Sequence, residues 1–205
     1  MKTDRKYELT DETIRYHGRT LHRIRALRDF GNVERGDLGG YVESENNLSH
    51  FGTCWVYNQA KVMHGAHIYE AARIFDSAYV HGAAWISGSV QAFDSTEVSG
   101  SAEILDSVQI YGSADIFGTA RVSGSAKIKG SAYIKDTDDC ISISPIGSEG
   151  GSFTAYKTKT GIECTRGCFK GTLEEFTEAV RKKHGDNQYG KEYQTVIDLV
   201  RLRLK

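Results

Sequence analysis

A six-residue repeat runs without interruption through the middle of the chain, from Asn47 to Asp136. From the second repeat onward, the fourth place holds Val, Ile or Ala, and the second place holds mostly Ala or another small residue. The first repeat has His50 in the fourth place instead. A β-branched side chain every six residues predicts a short strand that points it inward.

The sixth place of the repeat predicts a corner after each strand. It holds mostly Gly, Asp or Asn, which are the residues that adopt positive φ most readily. The acidic residues predicted at such corners are Asp76, Asp94, Asp106 and Asp136. Three repeats make one triangular coil of 18 residues, and stacked coils bury a core that one repeat cannot bury alone. The fifteen repeats therefore predict a mainly β fold, a parallel β-helix of about five coils.

The flanking segments are predicted to cap the two ends of the β-helix, whose open ends would expose unpaired backbone groups. Residues 1–46 are predicted to form N-terminal cap strands, although Leu21, Ile24 and Leu27 could instead make one helical turn. Residues 137–205 are predicted to form a small α+β unit. Its predicted strands are 140–144, 152–158 and 161–165.

Two helices forming an αα-hairpin are predicted at the C-terminal end. Thr172 and Glu175 form a capping box that opens the first helix, and Gly185 is suited to end it. The second helix is predicted over residues 188–204. Its predicted buried side chains are Tyr193, Val196, Ile197, Val200 and Leu204.

This repeat resembles that of the hexapeptide-repeat, left-handed β-helix superfamily, which implies a left-handed β-helix over residues 47–136. Family members usually place a small residue directly after the aliphatic one. Here that place holds Tyr57, Phe75 and Phe93, among others, and glycine falls one place later. The departure makes a standard acyltransferase of this family a poorer match. A right-handed triangular helix, as in the polymer-forming bactofilins, is the alternative.

The whole layout is similar to uncharacterised proteins of phages and prophages, and to hexapeptide-repeat transferases of enterobacteria. Residues 38–45 (LGGYVESE) and 167–176 (GCFKGTLEEF) carry this resemblance. It implies a phage or prophage origin, and it implies no particular activity.

The strongest surface pattern is a predicted aromatic column. Residues 18 apart stack directly above one another, and one such outward set is Tyr57, Phe75, Phe93 and Tyr111. A parallel outward set is Trp55, Arg73, Gln91 and Gln109. Four stacked exposed aromatic side chains are unusual on a solvated surface. They predict either an interface in a homo-oligomer such as a trimer, cover by the C-terminal helices, or a site for a ligand or partner protein.

Three histidines, His64, His67 and His81, fall near one corner and are candidate zinc ligands. In the γ-class carbonic anhydrases, which share the β-helix fold, three histidines bind the metal across a subunit boundary. That spacing is not matched here, and no acidic residue is placed to activate a metal-bound water. We therefore predict surface histidines and no metal, and we expect His50 to be hydrogen-bonded at the first coil.

The absence of any insertion between repeats argues against an enzyme. Acyl transfer needs a general-base histidine beside a cleft, and family enzymes wall that cleft with loops that interrupt the coils. We therefore predict a non-catalytic binding module without a cofactor. One alternative is an acyltransferase that uses acyl-CoA, with His64 or His81 as the base. Another is a self-assembling structural protein.

The composition of the chain argues against some classes of binding partner. The 26 Lys and Arg residues balance 27 Asp and Glu residues, so no strong nucleic-acid signal is present. No stretch approaches the ~18 apolar residues that a membrane span needs, and the N-terminus lacks an apolar leader segment. The four cysteines suit reduced thiols in the cytoplasm. The predicted partner is a host protein or a small signalling molecule, as for an accessory or anti-defence protein.

Overall fold

The computed structural model describes residues 5–205; the first four residues of the predicted N-terminal cap lie outside the described residues. The N-terminal segment forms the strands β1 (Tyr7–Tyr16), β2 (Arg19–Ala26) and β3 (Leu38–Val42). Strand β1 pairs with β2 and β2 with β3, both antiparallel. The predicted cap strands are therefore present. The alternative helical turn is wrong, because Leu21 and Ile24 lie on β2.

The repeat segment forms two-residue strands at the third and fourth places of each repeat. They are β4 (Trp55–Val56), β5 (Lys61–Val62), β6 (His67–Ile68), β7 (Arg73–Ile74), β8 (Tyr79–Val80), β9 (Trp85–Ile86), β10 (Gln91–Ala92), β11 (Glu97–Val98), β12 (Glu103–Ile104), β13 (Gln109–Ile110), β14 (Asp115–Ile116), β15 (Arg121–Val122), β16 (Lys127–Ile128) and β17 (Tyr133–Ile134). They make three parallel sheets, in the orders β3-β5-β8-β11-β14-β17, β4-β7-β10-β13-β16 and β6-β9-β12-β15. The predicted parallel, left-handed β-helix is confirmed.

The coil length is 18 residues throughout the three sheets. Arg73 pairs with Gln91, and Gln91 pairs with Gln109, in one parallel ladder. From the second repeat onward the fourth-place side chains, such as Ile86 and Ile104, are buried, as are the second-place alanines that lie beside them. Together they form one continuous core along the β-helix axis.

The sixth-place residues adopt positive φ from Gly52 to Gly130, including the non-glycine residues His64 and Glu70. Three of the four aspartates predicted at corners, Asp76, Asp94 and Asp106, follow this rule. The prediction is wrong for Asp136, whose φ is −128°. Asp136 follows the last coil and caps a short 3-10 helix, Thr137–Asp139, so no further coil requires it to turn.

Acidic corner residues also bond to the next coil, which the sequence pattern did not indicate. The carboxylate of Glu70 accepts a hydrogen bond from the amide of Gly88 at 2.6 Å. Asp106 accepts one from the amide of Gly124 at 2.8 Å in the same way. Each carboxylate accepts a hydrogen bond from the backbone N–H of the corner residue 18 positions later. Where an acidic corner residue precedes a glycine corner by one coil, this bond links the two coils.

Beyond the last coil the chain forms an antiparallel sheet and two helices. The strands are β18 (Cys140–Ile146), β19 (Gly151–Lys157), β20 (Ile162–Arg166) and β21 (Phe169–Thr172), paired in that order. Three of them were predicted, and β21 was missed. The helices α1 (Leu173–His184) and α2 (Gln188–Arg203) were both predicted, with the capping box of Thr172 and Glu175. The five side chains predicted to be buried in and just after α2 are buried.

The C-terminal sheet closes the end of the β-helix. The Tyr156 hydroxyl on β19 donates to the carbonyl of Lys129 at 2.9 Å and accepts from the amide of the same residue at 3.1 Å. The Thr165 hydroxyl donates to the carbonyl of Lys127 at 2.7 Å. These side chains satisfy backbone groups that would otherwise lack a partner on the last coil. At the other end, the Tyr7 hydroxyl donates to the carbonyl of Leu48 at 2.8 Å.

A pair of glycine substitutions tests the coil packing. Gly88 and Gly124 share the same corner conformation, with φ of +82° and +74°. A Cβ at Gly88 would overlap the Asp106 carbonyl oxygen, whereas a Cβ at Gly124 would meet no atom within 4 Å. We expect Gly124→Ala to lower the free energy of unfolding by about 1 kcal/mol, and Gly88→Ala by about 3 kcal/mol or more. Urea denaturation measures both, and equal losses would contradict the stacked-coil geometry.

Candidate binding surface

The aromatic column predicted from the 18-residue spacing is present on the face formed by β4, β7, β10, β13 and β16. The ring centroids of Tyr57 and Phe75 lie 4.5 Å apart, those of Phe75 and Phe93 4.6 Å apart, and those of Phe93 and Tyr111 4.8 Å apart. The interplanar angles are 11°, 2° and 1°, so the four rings form one parallel stack. Parallel coils impose this geometry, because each ring stands one ladder spacing from the next.

Both ends of the stack are closed by polar groups. The Tyr57 hydroxyl donates a hydrogen bond to the Asn32 side-chain oxygen at 3.0 Å. At the other end, the Lys129 ammonium lies 5.9 Å from the centroid of the Tyr111 ring, within the range of a cation–π contact. The partial burial of the stack raises the pKa of Tyr57 and of Tyr111, because the phenolate form loses hydration there.

Stacking leaves less of the rings in solvent than the sequence suggested. All four side chains are half-buried, since each ring covers a face of its neighbour. Ring edges remain on the outside and form an apolar strip. The apolar sides of α1 and α2 pack in a separate cluster with β18, β19 and β20, which includes Phe153, Phe176 and Ile197. The strip's role as an interface stays a prediction.

A second, polar column runs beside the strip. Arg73, Gln91 and Gln109 point outward and are half-buried, and the Gln109 amide donates to the Gln91 side-chain oxygen at 3.5 Å. The two columns together form a flat surface of ring edges, amides and one guanidinium. Its ring edges offer apolar packing, and its amides, guanidinium and tyrosine hydroxyls offer hydrogen bonds. Hereafter this surface is called the column face.

Trp55 was predicted to belong to the outward polar column. It does lie in ladder register with Arg73, but its side chain is not at the surface. Its side chain is 1% exposed, because the N-terminal segment covers the first coil. The rings of Tyr7 and Phe30 lie 6.1 and 5.3 Å from it in edge-to-face contacts. Met63, which occupies the outward fifth place of its repeat, is likewise buried, in a cluster with Leu21 and Tyr41.

The three candidate zinc ligands are divided between two faces. His64 and His81 have ring centroids 6.0 Å apart, but His67 lies on the next sheet, where its Nδ1 is 2.7 Å from the carbonyl of Asn46. Over residues 5–205, no group of three or more His, Cys, Asp or Glu side chains could hold a metal ion. His81 Nε2 instead lies 2.9 Å from a carboxylate oxygen of Glu97.

His50 is held in the first coil, as expected. Its Nδ1 accepts a hydrogen bond from the amide of Lys6 at 3.3 Å, and its ring stacks on Tyr7 at 4.4 Å. Burial lowers the pKa of His50, because the charged imidazolium is poorly hydrated there. These contacts fix the His50 side chain between the N-terminal segment and the first coil of the β-helix.

A second exposed aromatic group lies on the face formed by β6, β9, β12 and β15, and sequence reasoning gave it little weight. Phe51 is 86% exposed and Trp85 is 43% exposed. Trp85 stacks on Tyr69 with centroids 4.6 Å apart. The signal was present, since Phe51 precedes Tyr69 by 18 residues and Trp85 occupies an outward third place.

Among residues 5–205, no helix is both long enough and apolar enough to span a membrane.

No protein-family model matches the chain. The chain is 31% identical over 72 residues to the protein named Uncharacterized acetyltransferase YdcK of Escherichia coli (strain K12). The match covers 31% of this chain and 22% of the relative, so the chain spans about a fifth of that protein's length. The similarity is therefore a weak one, to part of a protein that is named as an acetyltransferase.

A double-mutant cycle tests the ring stack. We expect a coupling energy of roughly 0.5–1.5 kcal/mol between Phe75→Leu and Phe93→Leu in the free energy of unfolding. Each substitution removes the ring on which the other ring stacks. The matched control pairs Phe75→Leu with Phe117→Leu, whose ring stands on another face beside Tyr133. Denaturant unfolding measures both cycles. Equal coupling in the two would show that the stack adds nothing beyond ordinary burial.

Proposed function

We propose that this chain is a non-catalytic β-helix binding module that forms a homo-oligomer through the column face. The observation that carries the proposal is the strip of four stacked ring edges on an unbroken flat face. Stacking already orders these rings, so a partner surface would lose little side-chain entropy in binding them. Arg73 and the two glutamines beside the strip supply the polar contacts that fix orientation.

The ends of the β-helix favour lateral association over end-to-end filaments. The N-terminal hairpin covers the first coil, and β19 satisfies backbone groups of the last coil through Tyr156. An end whose backbone groups have partners is a poor template for another copy. This argues against the structural-protein alternative, in which coils would stack from molecule to molecule.

The biological setting belongs to the proposal as well. Residues 38–45 and 167–176 resemble segments of phage and prophage proteins, which supports an accessory or anti-defence role in the host cytoplasm. The assembled module would engage a host protein or a small signalling molecule. Subunit seams and caps are the places for that contact, because uninterrupted coils provide no loop to wall a pocket.

Light scattering tests the assembly. We expect the wild-type protein to be an oligomer, and we expect Phe75→Glu combined with Phe93→Glu to be a folded monomer, because two charges would be buried in the seam. Gln91→Glu places one charge on the same face without touching the rings, and it should weaken assembly as well. Circular dichroism verifies that each variant remains folded.

Leu202→Glu is the matched control for that measurement. Leu202 is another exposed apolar residue, but it lies on α2, whose apolar side packs in the C-terminal unit. It should leave the mass unchanged. A monomeric wild-type protein, or column-face variants that keep the oligomer mass, would refute the proposed assembly.

A second candidate function is acyl transfer, supported by the match to the acetyltransferase YdcK and by one contact. His81 Nε2 lies 2.9 Å from Glu97, and a carboxylate that orients an imidazole is the usual support of a general base. His64 lies beside His81, and among residues 5–205 the carboxylate bound to it, that of Glu43, accepts from its backbone amide and not from its ring. His81 is therefore the stronger of the two bases that the sequence suggested.

Calorimetry with acetyl-CoA separates the two functions. A non-catalytic module should give no binding heat and no release of coenzyme A. If acetyl-CoA binds and transfer occurs, His81→Asn should lower turnover by about 10²-fold or more, and Glu97→Gln should lower it less. That outcome would establish the enzyme and overturn the non-catalytic proposal.

A further inference from the structure

A small cleft lies in the C-terminal unit, apart from the column face. It has a volume of 260 Å³ and opens between the β18–β19 turn, the β20–β21 turn and α1. Its floor is apolar and includes Phe169, Phe176 and Val180, of which the last two are buried. Its walls carry Arg166, Lys183 and His184. An apolar floor with a few convergent polar groups is the usual composition of a small-molecule site.

Arg166 is the decisive side chain, because its charge is largely buried without a close counter-ion. Its side chain is 12% exposed. The guanidinium donates to the Tyr193 hydroxyl at 2.8 Å and to the carbonyl of Ile146 at 3.0 Å, and both acceptors are neutral. Among the described residues, its ion-pair partner is Glu149, at 3.8 Å and with 71% of its side chain exposed. Such a long, solvated pair offsets little of the cost of burying the guanidinium.

The cleft therefore carries an excess of positive charge over an apolar floor. Lys183 reaches it from the last turn of α1, and Glu149 is its acidic lining residue. We propose that this cleft binds a small organic anion whose carboxylate or phosphate group lies against Arg166 and Lys183. The aromatic or aliphatic body of the ligand lies over Phe169 and Phe176. A guanidinium held by two neutral acceptors keeps N–H groups free for such an oxyanion.

Cys168 supplies a local reporter, because it lines the cleft and is exposed, whereas Cys54 and Cys164 are buried. Carbamidomethylation of Cys168 by neutral iodoacetamide, followed by peptide mass spectrometry, reports on occupancy. We expect phenyl phosphate or phenylacetate to slow this labelling. Inorganic phosphate and benzyl alcohol at the same concentration should protect Cys168 far less. Phosphate has the oxyanion but no apolar body, and benzyl alcohol has the apolar body but no oxyanion. Which acid protects better identifies the oxyanion.

Two variants and one control locate the binding. Lys183→Glu should raise the concentration that gives half-protection by about tenfold, because it reverses a charge on the cleft wall. Ala179→Phe should fill the cleft from α1 and abolish protection. Lys182→Glu makes the same charge change one residue away, outside the cleft lining, and should leave protection unchanged. Calorimetry with the same probes measures binding independently of the thiol.

The proposal is overturned if neither acid protects Cys168 or gives binding heat. It is also overturned if benzyl alcohol protects as well as the acids, or if Lys183→Glu binds them as tightly as Lys182→Glu does. If Ala179→Phe fails to fold, the two charge variants decide alone, because Lys182 and Lys183 are both exposed. These outcomes do not depend on assembly through the column face, since the cleft lies within residues 148–193.

Discussion

The corner residue at the sixth place of each repeat is the constraint on which the β-helix depends. It must adopt positive φ so that a two-residue strand can turn onto the next face, and this conformation costs a non-glycine residue about 1–2 kcal/mol. Where the corner is acidic, as at Glu70, Asp94 and Asp106, the carboxylate accepts a hydrogen bond from the corner amide one coil further on. That bond offsets part of the local cost.

Much of the fold followed from the sequence because the repeat is local and regular. The coil length, the corners and the two helices depend on residue types within a few positions, and all were predicted. The failures occurred where distant segments meet. Trp55 and Met63 point away from the core as the repeat requires, but the N-terminal hairpin covers both. Asp136 has a corner residue type but no coil after it. Periodicity cannot reveal either circumstance.

The candidate surface was predictable in its arrangement and not in its exposure. The 18-residue spacing placed Phe75 and Phe93 in one column, and their centroids are 4.6 Å apart. At that separation the rings shield one another, which the spacing alone did not show. The same stacking joins consecutive coils and orders the rings at the surface. The Arg166 cleft escaped sequence analysis altogether, because it is assembled from turns and a helix that are distant in the chain.

Hydroxyl-radical footprinting at two protein concentrations tests most directly whether the column face is an assembly surface. We expect the ring edges of Tyr57, Phe75, Phe93 and Tyr111 to be oxidised slowly in concentrated protein and faster after dilution below the dissociation constant. Leu202 on α2 should be oxidised at one rate in both samples. The account would be contradicted if the oxidation rate of these four rings were the same at both protein concentrations. That rate would then be the one expected for half-exposed rings in a monomer. The β-helix would then present this face to another molecule, or to solvent alone.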